Sequence, residues 1–228
     1  MLTCSDDDGV RTVTLNRPER RNALTPAGLA DLERAVATAE TPVVYLHGAG
    51  DAFCAGADLN VVADLDDPAA FARQGQEVAT AIAEADPVVV AGVDGAARGG
   101  GVELALACDL RVATPEASFA ETGVTFGLFG AWGGTVRLPE VVGLGDAMDL
   151  ALSGRVVDAE EALRMGLVSR IVENPRIVAE EVAGNATEAL RRVKPLLGAQ
   201  GSREERERRE AEAFATLYER YGDEIGAE

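Results

Sequence analysis

The chain has 228 residues, 47% of them hydrophobic, enough to bury the core of one large domain or two small ones. A formal net charge of −18 and a single lysine, Lys194, rule out a surface built for nucleic acid or anionic lipid, both of which need cations on the protein. Three cysteines (Cys4, Cys54, Cys108) and one histidine (His47) supply neither a disulfide framework, nor zinc-ligand spacing, nor a Ser–His pair. Catalysis therefore has to rest on carboxylates, backbone N–H groups or water, with no metal. No apolar run is long enough for a membrane helix, and the acidic start Met1–Asp8 is no secretory or transit signal, so cytoplasm is the expected location. Abundant Asp and Glu with almost no Lys resembles the composition of proteins from salt-loving organisms, in which salt screens self-repulsion.

In chain order, Val10–Leu15 alternates as a strand and stops at Asn16-Arg17-Pro18. Thr25-Pro26 caps a helix carrying Leu29, Leu32, Val36 and Ala39, and Pro42 ends it. Val43–Leu46 reads as a short buried strand and the Gly/Ala-rich Gly48–Asp58 as a loop. Asp67-Pro68 opens a helix with Phe71, Val78 and Ile82 on its inner side. Val88–Val93 is a strand closed by Asp94-Gly95. Three glycines, Gly99–Gly101, then open a helical segment, Val102–Ala107, whose single acid is Glu103. The first N–H groups of a helix lack internal partners, so this junction either holds negative charge on a ligand oxygen beside Glu103 or only packs a helix onto a sheet.

A strand at Leu110–Ala113 and a Gly-rich run, Gly123–Gly134, come next. Helices at Leu144–Leu152 and Ala159–Met165 and a strand at Val168–Val172 follow. Strands alternating with helical crossovers predict an α/β fold with mostly parallel pairing. Beyond Val172 the pattern is helical only. Ile177, Val178, Val182, Ala186, Leu190 and Val193 share one face, Ser202-Arg203-Glu204-Glu205 fits a capping box, and Phe214, Leu217, Tyr218 and Tyr221 stripe the last helix. That stripe packs either on its own core or on another subunit. The division is 1–172 as a core and 173–228 as a helical segment for cover and oligomerisation.

Several ordered segments resemble the crotonase (enoyl-CoA hydratase/isomerase) superfamily. They are Leu15-Asn16-Arg17-Pro18 with Asn22-Ala23-Leu24, then Gly48–Leu59, Gly99–Ala105 with Cys108-Asp109, Gly133–Pro139 and Leu152-Ser153-Gly154. The resemblance implies a spiral of repeated ββα units with a helical C-terminal part, assembled as a homotrimer or a dimer of trimers. It implies an acyl-CoA substrate of fatty acid metabolism, coenzyme A being part of the thioester and no further cofactor being used. The oxyanion hole carried over by motif is the N–H of Ala57 and of Gly100, with Glu103 as acid/base in a hydratase-type reaction. The family's second glutamate falls at Gly123, because Phe119-Ala120-Glu121-Thr122-Gly123 stands where it reads Phe-Gly-x-Pro-Glu. Glu121, two residues earlier, is a candidate replacement. The gap leaves open other chemistry on an acyl-CoA (isomerisation, decarboxylation, C–C hydrolysis, thioester hydrolysis) or non-catalytic binding.

Further expectations concern the rest of the cleft. Arg20 and Arg21 are candidates for the coenzyme A phosphates, or else for pairing with neighbouring carboxylates, and Ala23 follows them. Asp58, Leu59 and Asn60 are expected along the thioester and pantetheine path, and Ala55 and Gly99 among the residues that bind the substrate or its coenzyme A. Phe126 and Trp132, with Leu128 and Phe129, are expected to shape the acyl pocket or to belong to the core, and Gly123 is expected among the substrate-binding residues. His47, at a strand end, reads as structural, and Cys54 and Cys108 as small buried hydrophobes.

Overall fold

The computed structural model describes residues 1–223 and 225; positions 224 and 226–228, the end of the proposed helical segment, lie outside the described residues. The chain opens with β1 (Leu2–Asp7), an edge strand antiparallel to β2 (Val10–Leu15). After a 3₁₀ turn at Pro18–Arg20, α1 (Pro26–Ala37) starts as expected, with Thr25 Oγ1 accepting the Gly28 N–H and Pro26 in the first turn. Next come β3 (Val43–Gly48), the short α2 (Leu59–Ala63) and α3 (Pro68–Ala83), capped by Asp67 on the Ala70 N–H. Then follow β4 (Val88–Val93), β5 (Ala96–Arg98) and α4 (Gly100–Ala107). β6 (Leu110–Ala113), β7 (Ser118–Ala120), a 3₁₀ turn at Thr122–Phe126 and α5 (Gly134–Ser153) complete another turn.

These elements wind a spiral in which each turn lays one strand in a large sheet, one short extended piece in a second layer, and then a helix. The large sheet runs β1-β2-β3-β4-β6-β9, parallel except at β1, with β9 being Arg170–Ile171. The second layer joins Leu24 to Ala57 and Cys54 to Ala97 by isolated bridges, then pairs β5, β7 and β8 (Val157–Asp158). This is the spiral of ββα units that the resemblance implied. The short pieces, of three residues or fewer, carry no periodicity, which is why the sequence reading passes over them.

β4 is buried along its whole length because both faces of the sheet are covered. On one side Val13, Leu46, Val89 and Ala91 meet α1, α3 and α4. On the other, Val10, Val43, Val88 and Val90 meet Val178 and Ala179 of α7 (Arg176–Ala183), which follows α6 (Ala159–Arg164) and β9. α8 (Thr187–Leu197) is tied to β4 by the one lysine. Lys194 Nζ donates to the Pro87 carbonyl at 2.9 Å and pairs with Asp109 at 2.8 Å. α9 (Arg203–Tyr221), opened by the expected capping box, packs on α8.

Two elements differ most from expectation. The helix expected at Leu144–Leu152 begins at Gly134 and passes Pro139 and a kink at Gly143, where φ is +78°. The strand expected over Val168–Val172 pairs only at Arg170 and Ile171.

Candidate active site

Two loops are locked together where the large sheet ends. Cys54 N–H donates to the Ala96 carbonyl at 3.2 Å and Arg98 N–H to the Cys54 carbonyl at 2.9 Å, so the loop reaching Ala57 lies along β5. A methyl group on Gly56 would stand 2.8 Å from the Gly100 nitrogen, and only glycine permits that approach. Gly99, at φ +47°, turns the chain into α4. The first α4 bond runs from the Glu103 N–H to the Gly99 carbonyl, which leaves the Gly100 N–H free at the helix start. Among the described residues, the Ala57 N–H also donates to no main-chain carbonyl.

Glu103 lies one turn into α4 and is 1% exposed. Its Oε1 accepts the N–H groups of Trp132 at 2.8 Å and Gly134 at 2.6 Å, while Oε2 takes no hydrogen bond among the described residues. Side chains on Gly130 or Gly134 would meet this carboxylate, so the Gly-rich run exists to wrap it in main chain. Burial raises its pKa above the ordinary value, opposed by the Gly134 and Trp132 N–H groups and by Arg137.

Glu121 comes to the same place by register. β7 pairs with β5 so that Ala120 faces Arg98, and the Gly99 N–H donates to the Ala120 carbonyl at 2.9 Å. The next residue, Glu121, is therefore level with the Gly99–Gly100 turn. It is 8% exposed, its buried Oε1 has no hydrogen-bond partner, and burial, then the charge of Glu103, push its pKa up to about 9. It lines a cavity of about 280 Å³ whose walls include Val124, Phe129, Leu138, Ala147, Met148 and Leu152. An acid buried without a partner in an apolar cavity is a candidate for a functional group.

The enoyl-CoA hydratase/isomerase family model matches residues 5–224. The chain belongs to that family. It is similar to the (E)-benzylidenesuccinyl-CoA hydratase of Thauera aromatica, 38% identical over 86% of this chain and 78% of the relative. It is similar also to the crotonyl-CoA hydratase of Syntrophomonas wolfei, 37% identical over 78% and 72%. Among solved structures it superposes on the enoyl-CoA hydratase of Bacillus anthracis with a TM-score of 0.87 at 32% identity, covering 94% of this chain and 89% of that one. The chain is thus an enzyme of the enoyl-CoA hydratase type.

Within this hydratase-type framework the other site candidates separate. Arg20 and Arg21 are exposed and, among the described residues, form no ion pair, which leaves their guanidinium groups available for phosphate. Arg98 lies close enough to Arg21 for the like charge, after burial, to lower its pKa, but its guanidinium donates to the Ala97 and Ser118 carbonyls and to Ser118 Oγ and is structural. Ala23 is buried, and Ala55 N–H donates to the Arg21 carbonyl at 2.9 Å, tying the arginine segment to the loop that carries Ala57. Asn22 was missed as a site element. It is 1% exposed at a φ of +57°, and its amide bonds the Ala49 and Ala52 carbonyls and the Arg17 N–H. Its position inside the signature segment was the available signal.

Asp58 is structural in its contacts: it caps α2 on the Asn60 N–H and pairs with Arg17 at 3.1 Å, while Leu59 and Asn60 are exposed beside it. Trp132 is core, not cavity lining. It is 3% exposed, edge-on to Phe71, with its ring against Gly75 and Gly100. Phe126 is exposed and absent from the cavity wall, whereas Phe129 belongs to it. At Gly123, a Cβ would stand 2.7 Å from the Phe129 Cα, so main chain occupies the space a side chain needs. His47 sits on the outer face of the sheet, bonded to Thr14 at 2.9 Å and stacked on Tyr45. Cys54 and Cys108 are buried, and burial pushes both thiols up to about 12. Among the described residues no three His, Cys, Asp or Glu side chains come together as a metal-binding group, and no helix is long and apolar enough to cross a membrane.

Proposed function

We propose that this enzyme adds water across the α,β double bond of a 2-enoyl thioester of coenzyme A. The observation that carries the reading is Glu103. Its carboxylate is held on one oxygen by two main-chain N–H groups, with the other oxygen, beside Gly130, taking no hydrogen bond among the described residues. The thioester carbonyl oxygen sits between the N–H groups of Ala57 and Gly100, which take the charge that develops as the enolate forms. One such donor is worth about 3–4 kcal/mol of barrier in a preorganised site. Glu103 Oε2 takes a proton from the attacking water, whose oxygen bonds to Cβ.

The cleft orients the substrate from both ends. Arg20 and Arg21 supply cations for the coenzyme A phosphates, Ala55, Leu59, Asn60 and Gly99 line the pantetheine path with Asp58 holding that loop, and the apolar cavity receives the acyl tail. No group beyond the substrate's own coenzyme A is required.

The segment 173–228 serves assembly as a homotrimer or a dimer of trimers and covers the pocket. Its uncovered apolar side chains support this, with Leu197 78%, Phe214 68% and Tyr218 58% exposed. The acidic surface suits a salt-rich cytoplasm. The deciding experiment is incubation with crotonyl-CoA and 2-decenoyl-CoA at molar salt, following loss of the conjugated thioester absorbance. Turnover is expected, and binding without turnover of either thioester would overturn the reading.

A further inference from the structure

The family's second acid position is closed in this chain, and a different carboxyl group stands in the cavity. The Leu128 N–H donates to the Gly123 carbonyl at 3.0 Å and draws the 128–129 main chain over position 123. A side chain there would meet the Phe129 Cα at 2.7 Å and the Leu128 carbonyl at 3.1 Å. Gly127, at φ +75°, closes this turn. Two residues earlier, Glu121 is buried, has an unpartnered Oε1, and lines the apolar cavity beside Gly130 and Gly134, the residues wrapped around Glu103.

We infer that Glu121 is the proton donor to Cα, a catalytic role that the fold has moved to this position because position 123 is filled by main chain. The inference rests on the hydratase reading above and adds the group that completes it. The groups facing Glu121 favour its neutral form. Among the described residues Glu103 on α4 is the charge that acts on it, Arg137 on α5 acts on Glu103, and the remaining cavity walls are apolar apart from Thr135. A carboxylic acid at about 9 stays protonated at neutral pH, while Glu103, held by two N–H groups, is the carboxylate of the pair.

The step balances. Water oxygen bonds to Cβ as its O–H bond breaks and the proton passes to Glu103. The π electrons move to the thioester oxygen as enolate and return to form a Cα–H bond with the Glu121 proton, leaving Glu121 as carboxylate. Passage of the Glu103 proton to Glu121, through a water or on product release, restores both groups, and the net change is one water added.

The test pairs hydration with exchange of the Cα hydrogens of butyryl-CoA in D₂O, which reads proton transfer at Cα without hydration. Glu121→Gln is expected to lower both rates by about 10²–10⁴-fold, with KM nearly unchanged and the alkaline fall in kcat abolished. Glu121→Asp should keep part of the exchange. Near-ultraviolet circular dichroism and thermal melting establish that each variant is folded. Hydration and exchange in Glu121→Gln within threefold of the parent, or an unchanged alkaline limb, would overturn the inference. Exchange that requires Glu121 in a parent that hydrates nothing would support it and overturn the hydratase reading instead.

Discussion

The indole of Trp132 fills the space where a side chain on Gly100 would project. The residue that heads α4, whose N–H is the proposed oxyanion donor, is therefore a glycine for a packing reason. The same tryptophan, through its own N–H, holds Glu103. Gly100→Ala should force the ring away and move both the N–H and the carboxylate. The expected result is a loss of about 1–3 kcal/mol of stability in urea titrations from overpacking, with kcat/KM falling at least tenfold. An alanine variant with parental activity would remove Gly100 from the oxyanion site.

Glu103→Gln keeps an oxygen that can accept the Trp132 and Gly134 N–H groups. It should fold with parental or higher stability, since a buried charge is removed. Its kcat should drop about 10²–10⁴-fold, the usual contribution of a general base. In the parent, activity should fall with acid at a pH above the ordinary glutamate value, because burial raises the Glu103 pKa and its base form is lost on protonation. A pH–kcat profile in the parent and the variant checks both.

Glu121 also leaves a mark on stability. Its folded pKa of about 9 lies above its unfolded value near 4.5, so between these limits the folded state binds more protons than the unfolded one. Stability is then full below about pH 4.5 and declines as pH rises toward 9, by an amount on the order of a few kcal/mol. Glu121→Gln should flatten that decline, raising the melting temperature at pH 9 and changing it little at pH 4.5. Equal pH dependence in parent and variant would count against a buried, neutral Glu121.

Lys194→Met removes the cation that bridges Asp109 and the Pro87 carbonyl, leaving Asp109 with the Val89 N–H at 2.7 Å as its hydrogen-bond donor. Both side chains are mostly buried, so the loss should be about 1.5–3 kcal/mol. Amide exchange should rise first in α8, which this contact ties to β4.

With a net charge of −18, the folded chain repels itself at low ionic strength. Raising salt from about 0.01 M to 1 M shortens the screening length from roughly 30 Å to 3 Å. The melting temperature should climb by several degrees between those limits in potassium chloride. A flat or falling curve would argue against adaptation to salt.

The helices that begin at Pro26 and Pro68 could be read directly, because a capping side chain, a proline and a 3.6-residue apolar stripe all agree. Strand β2 showed by alternation, and β3, β4 and β6 as short strand-like segments between turn residues. β1 did not, since its burial is slight and its sequence, Leu-Thr-Cys-Ser-Asp-Asp, reads as a polar start. The second-layer pieces at Leu24, Cys54, Ala57, β5 and β7 are held by bonds to other turns of the spiral, and nothing local in them announces a strand.

For the site, the residues alone determined the family, the glycine junction at Gly99–Gly101 and the absence of a carboxylate at 123, because motif order and spacing are properties of the chain. Tertiary structure decided what those residues meet. It placed the Glu103 carboxylate on the Trp132 and Gly134 N–H groups, the Trp132 ring against Gly100, and the Phe129 main chain over Gly123. It also put Glu121, otherwise one acid among many, without a partner in an apolar cavity. The physical reason is that a carboxyl group's charge and role follow from desolvation and hydrogen-bond partners, which come from segments distant in sequence and exist only once the spiral has closed.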